Sequence, residues 1–228
     1  MMVKKNQKAF TLCHFKLFIR AMLFVASIAV YTCTGDLLNA RWFTAIAWAI
    51  LMADALLKLF PLKYESMGSQ KQFKKNFAPV KEKVGAKMAS GKKVLLVALL
   101  WIILNALIAH LYFKSVIDAS VMIIVSLFYS VCDMICILFY CPFQQILGNK
   151  CCNTCRIYNW DYIMMFTPLV FIKNAFGSGL FLLGVVIFIR WEYAVCKYPE
   201  RFCEETNDNL KCKNCTETRC SRKKIKTR

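Results

Sequence analysis

The chain has 228 residues, 58% of them hydrophobic and 19% charged, where a soluble domain averages about 45–50% apolar and about 25% charged. The excess sits in five apolar blocks separated by lysine-rich segments, which excludes an ordinary soluble fold and marks a polytopic membrane protein. The formal net charge of +18 does not indicate nucleic acid, because the basic residues flank apolar runs and lack the interleaved aromatics of a base-stacking surface.

Residues 1–16 form a basic N-terminal segment, with Lys4, Lys5, Lys8 and Lys16 and no acid. Residues 17–60 hold the first two spans, 17–35 and 42–60, joined by a short connection from Asp36 to Arg41. No small-residue cleavage site follows the first run, so it reads as a retained span. Arg20 lies near its start, where a long side chain can reach the headgroups. Asp54 and Lys58 stand at i, i+4 near the end of span 2 and are placed to pair. Pro61 then stops the helix.

Residues 61–93 are a polar loop with nine lysines and two glutamates. Phe73, Phe77 and Val80 fall at i, i+4, i+7, so residues 70–88 read either as an amphipathic surface helix or as a solvated loop. The segment from Glu65 to Phe73 has the mixed composition of a functional loop. Residues 94–140 hold spans 3 and 4. Asn105 and His110 lie in span 3; Cys132, Asp133 and Cys136 lie in span 4. Cys132 and Cys136 share a helix face, as packed small residues or as a continuation into the membrane of a site at Cys141.

A cysteine-rich loop follows at 141–161. It carries Cys141, Cys151, Cys152 and Cys155, and ends on Trp160 and Asp161, which are placed to anchor it at the interface. Residues 162–191 are apolar but interrupted by Pro168, Lys173-Asn174 and Gly177-Ser178-Gly179. As one straight helix these 30 residues would reach about 45 Å, well over a hydrocarbon core of about 30 Å. They read as a fifth span with an interfacial approach, or as a re-entrant hairpin with its tip between Lys173 and Gly179. Residues 192–228 form a basic, cysteine-rich tail, which includes the compact stretch Pro199-Glu200-Arg201-Phe202.

Lysine and arginine concentrate before span 1 and between spans 2 and 3, so the N-terminus and the cysteine loop are assigned to the cytoplasmic side. The tail has ten basic residues against five acids from Lys197 to Arg228, and the same rule puts it on that side only if 162–191 folds back. The expected fold is all-α: a polytopic integral membrane helical bundle with four clear transmembrane helices plus a fifth broken or re-entrant segment.

Two cysteine sets share a C-x2-C core preceded by another cysteine: Cys141, Cys152 and Cys155 in the loop, and Cys203, Cys212, Cys215 and Cys220 in the tail. Two intervening residues let two thiolates converge on one ion, and thiolates without nearby histidine suit zinc or an iron–sulfur cluster. The first functional reading is therefore a cysteine-ligated iron–sulfur cluster or zinc at the cytoplasmic face, with membrane-associated electron transfer if it is iron–sulfur. A second is thiol–disulfide oxidoreduction by Cys152 and Cys155. A third is a small transporter using intramembrane Asp133 paired with Lys173. The expected partners are the lipid bilayer and a cytosolic redox or assembly partner.

Overall fold

The computed structural model describes residues 2–62, 65–80, 85, 90–149 and 151–214, with side chains from residue 12 onward. Two long helices open the chain, α1 (Met2–Thr34) and α2 (Arg41–Leu57). A one-turn α3 (Met67–Gln70) lies in the polar loop. The antiparallel pair α4 (Gly91–Phe113) and α5 (Ala119–Leu138) follows. The cysteine loop begins with α6 (Pro142–Leu147), and the chain returns through α7 (Asp161–Phe166) and α8 (Ala175–Lys197). No strand occurs among the described residues.

Helix dominates because apolar backbone in lipid must satisfy its own N–H and C=O groups. Four helices are long and apolar enough to cross a membrane, Leu12–Thr34 of α1, then α4, α5 and α8, and they make the chain a multi-pass membrane protein. Here the second expected span differs. With 17 residues, α2 is about 25 Å long and falls short of a full crossing, while the last helix is a full one. Leu95, Leu99, Ile102, Ile103 and Leu107 of α4 are exposed, whereas polar Asn105 of the same helix is buried, the inverse of a soluble helix.

At one end of the bundle the two tight turns are knitted together. The Asp118 side chain caps α5 by accepting from Val121 N at 2.8 Å and also accepts from the Tyr31 hydroxyl at 2.9 Å. Ser120 Oγ donates to Asp36 at 2.8 Å and accepts from Leu37 N at 2.9 Å.

The interrupted apolar stretch is a hairpin. Pro168 ends α7 and begins a 3-10 turn, Thr167–Phe171. Residues 172–174 reverse the chain, and Asn174 caps α8 by accepting from Phe176 N at 2.9 Å. The arms are antiparallel: a Cβ on Gly177 would sit 3.1 Å from Leu169 O, and one on Gly184, seven residues on, 3.0 Å from Tyr162 O, seven residues back. Glycine at both positions permits this close backbone approach. The rising arm is only about 19 Å long. The tip reaches the level of the end of α4, where Phe171 meets the Phe113 ring edge-on at 5.9 Å.

Because of the hairpin, the tail returns to the face that holds the cysteine loop. Three segments then build a cap there. Residues 66–80 contact the cysteine loop through Gly68 N, which donates to Asn153 Oδ1 at 3.1 Å, and through Ser66 Oγ, 2.6 Å from the Tyr158 hydroxyl. The same segment meets the tail in an antiparallel bridge between Pro79 and Asn207, with Val80 N donating to Thr206 O. This pairing overturns the surface-helix reading of 70–88 over its described part: residues 74–76 form a 3-10 turn and the chain beyond is extended. Val97, Leu147, Ile157, Tyr158, Trp160, Trp191, Val195 and Phe202 form the apolar core that joins cap to bundle.

Candidate functional site

Just below the cap, charged residues from four elements meet inside the bundle. Arg20 of α1 is 4% exposed. Its guanidinium donates to Asp133 of α5 at 2.8 Å, to the Ser130 carbonyl at 2.9 Å, and to Asp54 of α2 at 2.5 Å. The Tyr162 hydroxyl, on α7, donates to Asp54 at 2.9 Å. Lys16 pairs with Asp54 at 2.8 Å and also with Glu65, and Lys58 pairs with Glu65 at 2.9 Å. Burial works against the Glu65 charge, but Lys58 and Lys16 hold its carboxyl below the usual range.

This cluster corrects three expectations. Arg20 does not reach out to headgroups; two carboxylates at its own depth hold it inside. Asp54 and Lys58 do not pair with each other, because Arg20 and Lys16 take Asp54 while Glu65 takes Lys58. Asp133 pairs with Arg20, and Lys173 stands exposed at the hairpin tip, at the far end of the rising arm. A narrow cleft, partly open to solvent, adjoins the cluster.

Inside the cap, Lys71 is fully buried. Its ammonium donates to the carbonyls of Asn153 at 2.9 Å and Cys155 at 2.7 Å. It lies 5.5 Å from the ring centroids of both Trp191 and Phe202. No carboxylate pairs with it among the described residues. Burial lowers its pKa to about 8, with Cys155 the largest opposing influence. The three segments with functional-loop composition, 65–73, 141–161 and 199–202, thus converge on one ammonium.

The cysteines divide by environment. Cys141 precedes α6, close to Cys136 and to the backbone N–H groups of Gln144 and Phe143. Cys136, helped by those N–H groups and opposed by burial, lowers the Cys141 pKa to about 7. Cys152 Sγ donates to the Cys136 carbonyl at 3.6 Å. Cys155 is buried in the cap core, and burial pushes its thiol up. Cys203 is also buried, and its thiol is pushed up to about 11 by burial and then Glu205. Cys212 is exposed, and Cys215 and Cys220 lie outside the described residues. No disulfide and no group of three or more His, Cys, Asp or Glu side chains suited to a metal occurs among the described residues.

The loop set therefore does not come together as Cys141, Cys152 and Cys155. The thiol that most influences Cys141 is that of Cys136, on the face of α5 that the i, i+4 spacing marked. Trp160 does anchor the loop, but to protein: its Nε1 donates to Glu192 at 2.7 Å, and Glu192 also pairs with Arg156. Asp161 accepts from the next residue's N–H at 2.9 Å.

Arg20, Glu65, Lys71 and Tyr162 went unrecognised as site residues in the sequence. For Arg20 a signal exists. Asp54 and Asp133 lie three and five residues from the capped ends of their helices, and Arg20 falls at matching depth on α1. Lys71 is one of nine lysines in its loop, and nothing in the sequence separates it from the other eight.

The fold and site define a class: a multi-pass helical membrane protein with a cysteine-rich cap over a buried ion-pair cluster. The chain matches no protein-family model, no curated protein and no solved structure.

Proposed function

We propose that this protein carries out thiol–disulfide exchange at its capped face, with Cys141 as the reactive thiol and Cys136 as its resolving partner. The observation that carries the reading is the nearness of two thiols at the end of α5: Cys136 is the largest influence on Cys141, and the backbone N–H groups of Gln144 and Phe143 add to it, so that Cys141 ionises near neutral pH. Cys155, one of the pair expected from C-x2-C spacing, is buried and holds its proton, so it suits a packing role. The positive-inside rule assigns this face to the cytoplasm, where protein disulfides are usually transient and catalytic.

The exchange balances with a disulfide substrate. The Cys141 thiolate attacks one sulfur, the substrate disulfide breaks, and its second sulfur leaves as a thiolate that takes a proton. Cys136, on losing its proton, attacks Cys141 in the mixed disulfide and releases the remaining thiol. Two cysteines are oxidised and one disulfide is reduced; the reverse sequence oxidises a dithiol partner.

The test is equilibration of the purified protein in mixtures of reduced and oxidised glutathione, followed by maleimide trapping and peptide mapping. A Cys136–Cys141 disulfide is expected as the first to form, and Cys141→Ser should abolish it. Cysteines that stay reduced throughout, or a first disulfide elsewhere, would overturn the reading. So would stoichiometric zinc or an iron–sulfur chromophore retained through Cys141.

A further inference from the structure

We infer, on the basis of the thiol–disulfide reading above, that Cys152 is a third thiol of that site. It attacks Cys136 in the Cys136–Cys141 disulfide and takes the bond over, which frees Cys141.

Cys152 Sγ donates to the Cys136 carbonyl at 3.6 Å, so the loop lays this thiol against the residue that Cys141 also neighbours. Cys136 belongs to the last turn of α5, Cys141 stands just before α6, and Cys152 opens a 3-10 turn, Cys152–Thr154. Three half-buried thiols from three segments thus meet at one helix end. The backbone separates Cys152 from its neighbour. Cys151 is extended, at φ −159° and ψ 169°, and successive side chains of an extended chain point to opposite sides. The Cys151 sulfur lies 3.8 Å from the Thr154 hydroxyl instead.

The turn that carries Cys152 is pinned to the cap. Lys71 donates to the carbonyls of Asn153 and Cys155, and Gly68 N donates to Asn153 Oδ1. A thiol already held beside its target has little freedom left to lose on reaching it.

The leaving group sets the direction of attack. The thiol with the lower pKa leaves a disulfide faster, and Cys141, at about 7, lies below an ordinary cysteine, at about 8.5. Attack therefore falls on the Cys136 sulfur and expels Cys141. The step balances: a Cys152–Cys136 bond forms, the Cys136–Cys141 bond breaks, and the proton lost by Cys152 goes to the released Cys141 or to water. No net oxidation occurs. The disulfide leaves the thiol that meets substrate, so a released dithiol no longer finds it at Cys141.

Disulfide migration in the purified full chain tests this. The protein is oxidised briefly with oxidised glutathione, moved into oxidant-free buffer, labelled with iodoacetamide at intervals and mapped by peptide mass. In the native protein Cys141 should regain labelling with time at a constant number of disulfides, while the Cys136 peptide changes partner from Cys141 to Cys152. In Cys152→Ser the Cys136–Cys141 disulfide should persist and Cys141 should stay unlabelled. Cys151→Ser should behave as the native protein. A native Cys136–Cys141 disulfide that stays in place, equal recovery of Cys141 in Cys152→Ser, or loss of migration in Cys151→Ser would overturn the role of Cys152 and leave the exchange reading standing. A Cys136–Cys141 disulfide that never forms would overturn both.

Discussion

Arg20 and Asp133 are 113 residues apart in the chain and 2.8 Å apart in the bundle, and their contact ties α1 to α5 at the level where the cap begins. The same guanidinium holds Asp54 of α2, so one side chain neutralises two buried carboxylates. The asymmetry between the partners has a measurable consequence. Arg20→Met leaves two acids without their main counter-ion, while Asp133→Asn leaves an arginine that still has Asp54. Breaking a buried pair from one side typically costs about 3–5 kcal/mol. Arg20→Met should reach that range or prevent folding, and Asp133→Asn should cost distinctly less. Chemical denaturation in detergent measures both, and equal losses would show that Arg20 is not the hub.

Lys71 makes the cap sensitive to alkaline pH. Its folded pKa of about 8 lies below the ordinary lysine value of about 10.4. Between these values the unfolded chain binds more protons than the folded one, so stability rises with pH across that window. Below about pH 8 the full penalty of the buried charge is present. The melting temperature of the native protein, minus that of Lys71→Met, should therefore increase from pH 8 to pH 10. The neutral amine keeps N–H donors for Asn153 and Cys155, so deprotonation does not undo the latch. A flat difference would mean that Lys71 titrates as an ordinary surface lysine.

The Cys141 thiol should alkylate with a half-maximal rate near pH 7, as followed by iodoacetamide labelling and peptide mass analysis. Cys136 is the largest influence on that value, so Cys136→Ala should move the midpoint upward. The α6 N–H groups remain in the variant, and the midpoint should stay below that of an isolated thiol, about 8.5. Identical profiles for the native protein and Cys136→Ala would remove the basis for pairing these two cysteines.

Gly68 tests how tightly the cap closes. A Cβ there would lie 2.4 Å from the Tyr158 ring, whose hydroxyl is held by Ser66 at 2.6 Å. The ring has little room to yield, and Gly68→Ala should cost about 1–3 kcal/mol, the usual range for overpacking. The loss should show as faster protease cleavage in the cysteine loop, with the apolar bundle left folded. Cleavage at the native rate would place Tyr158 in a looser pocket.

Much of the bundle was legible in the apolar blocks, because a run of about 20 apolar residues has few structural options in lipid. The interruption was also legible: Pro168 and Lys173-Asn174 break a stretch too long for one crossing and too short for two, although the chain reverses at 172–174 and Gly177 and Gly179, expected at the tip, lie inside α8. The ion-pair cluster was half legible. Asp54 and Asp133 stood out as charges at membrane depth, but their partner was misassigned, since nearness in sequence favoured Lys58 and hydrophobic breakage favoured Lys173. Arg20 won because it sits at the same depth on a neighbouring helix. The cysteine spacing says less, for another reason. A C-x2-C turn converges on an ion only when its thiols point to a common centre, and here the turn points its carbonyls at Lys71.

That ammonium has a consequence for how the chain matures. Lys71 and the Cys152–Cys155 turn leave the ribosome well before Trp191 and Phe202, the two rings that enclose the cation. Until α8 is inserted and the tail folds back, the lysine is solvated and the cysteines of the loop stand open to oxidants. The cap is thus the last part of the molecule to form. Cys155 passes from a solvated nascent state to a buried one in that late event, timed by the arrival of two aromatic side chains, while Cys141 stays accessible at the edge.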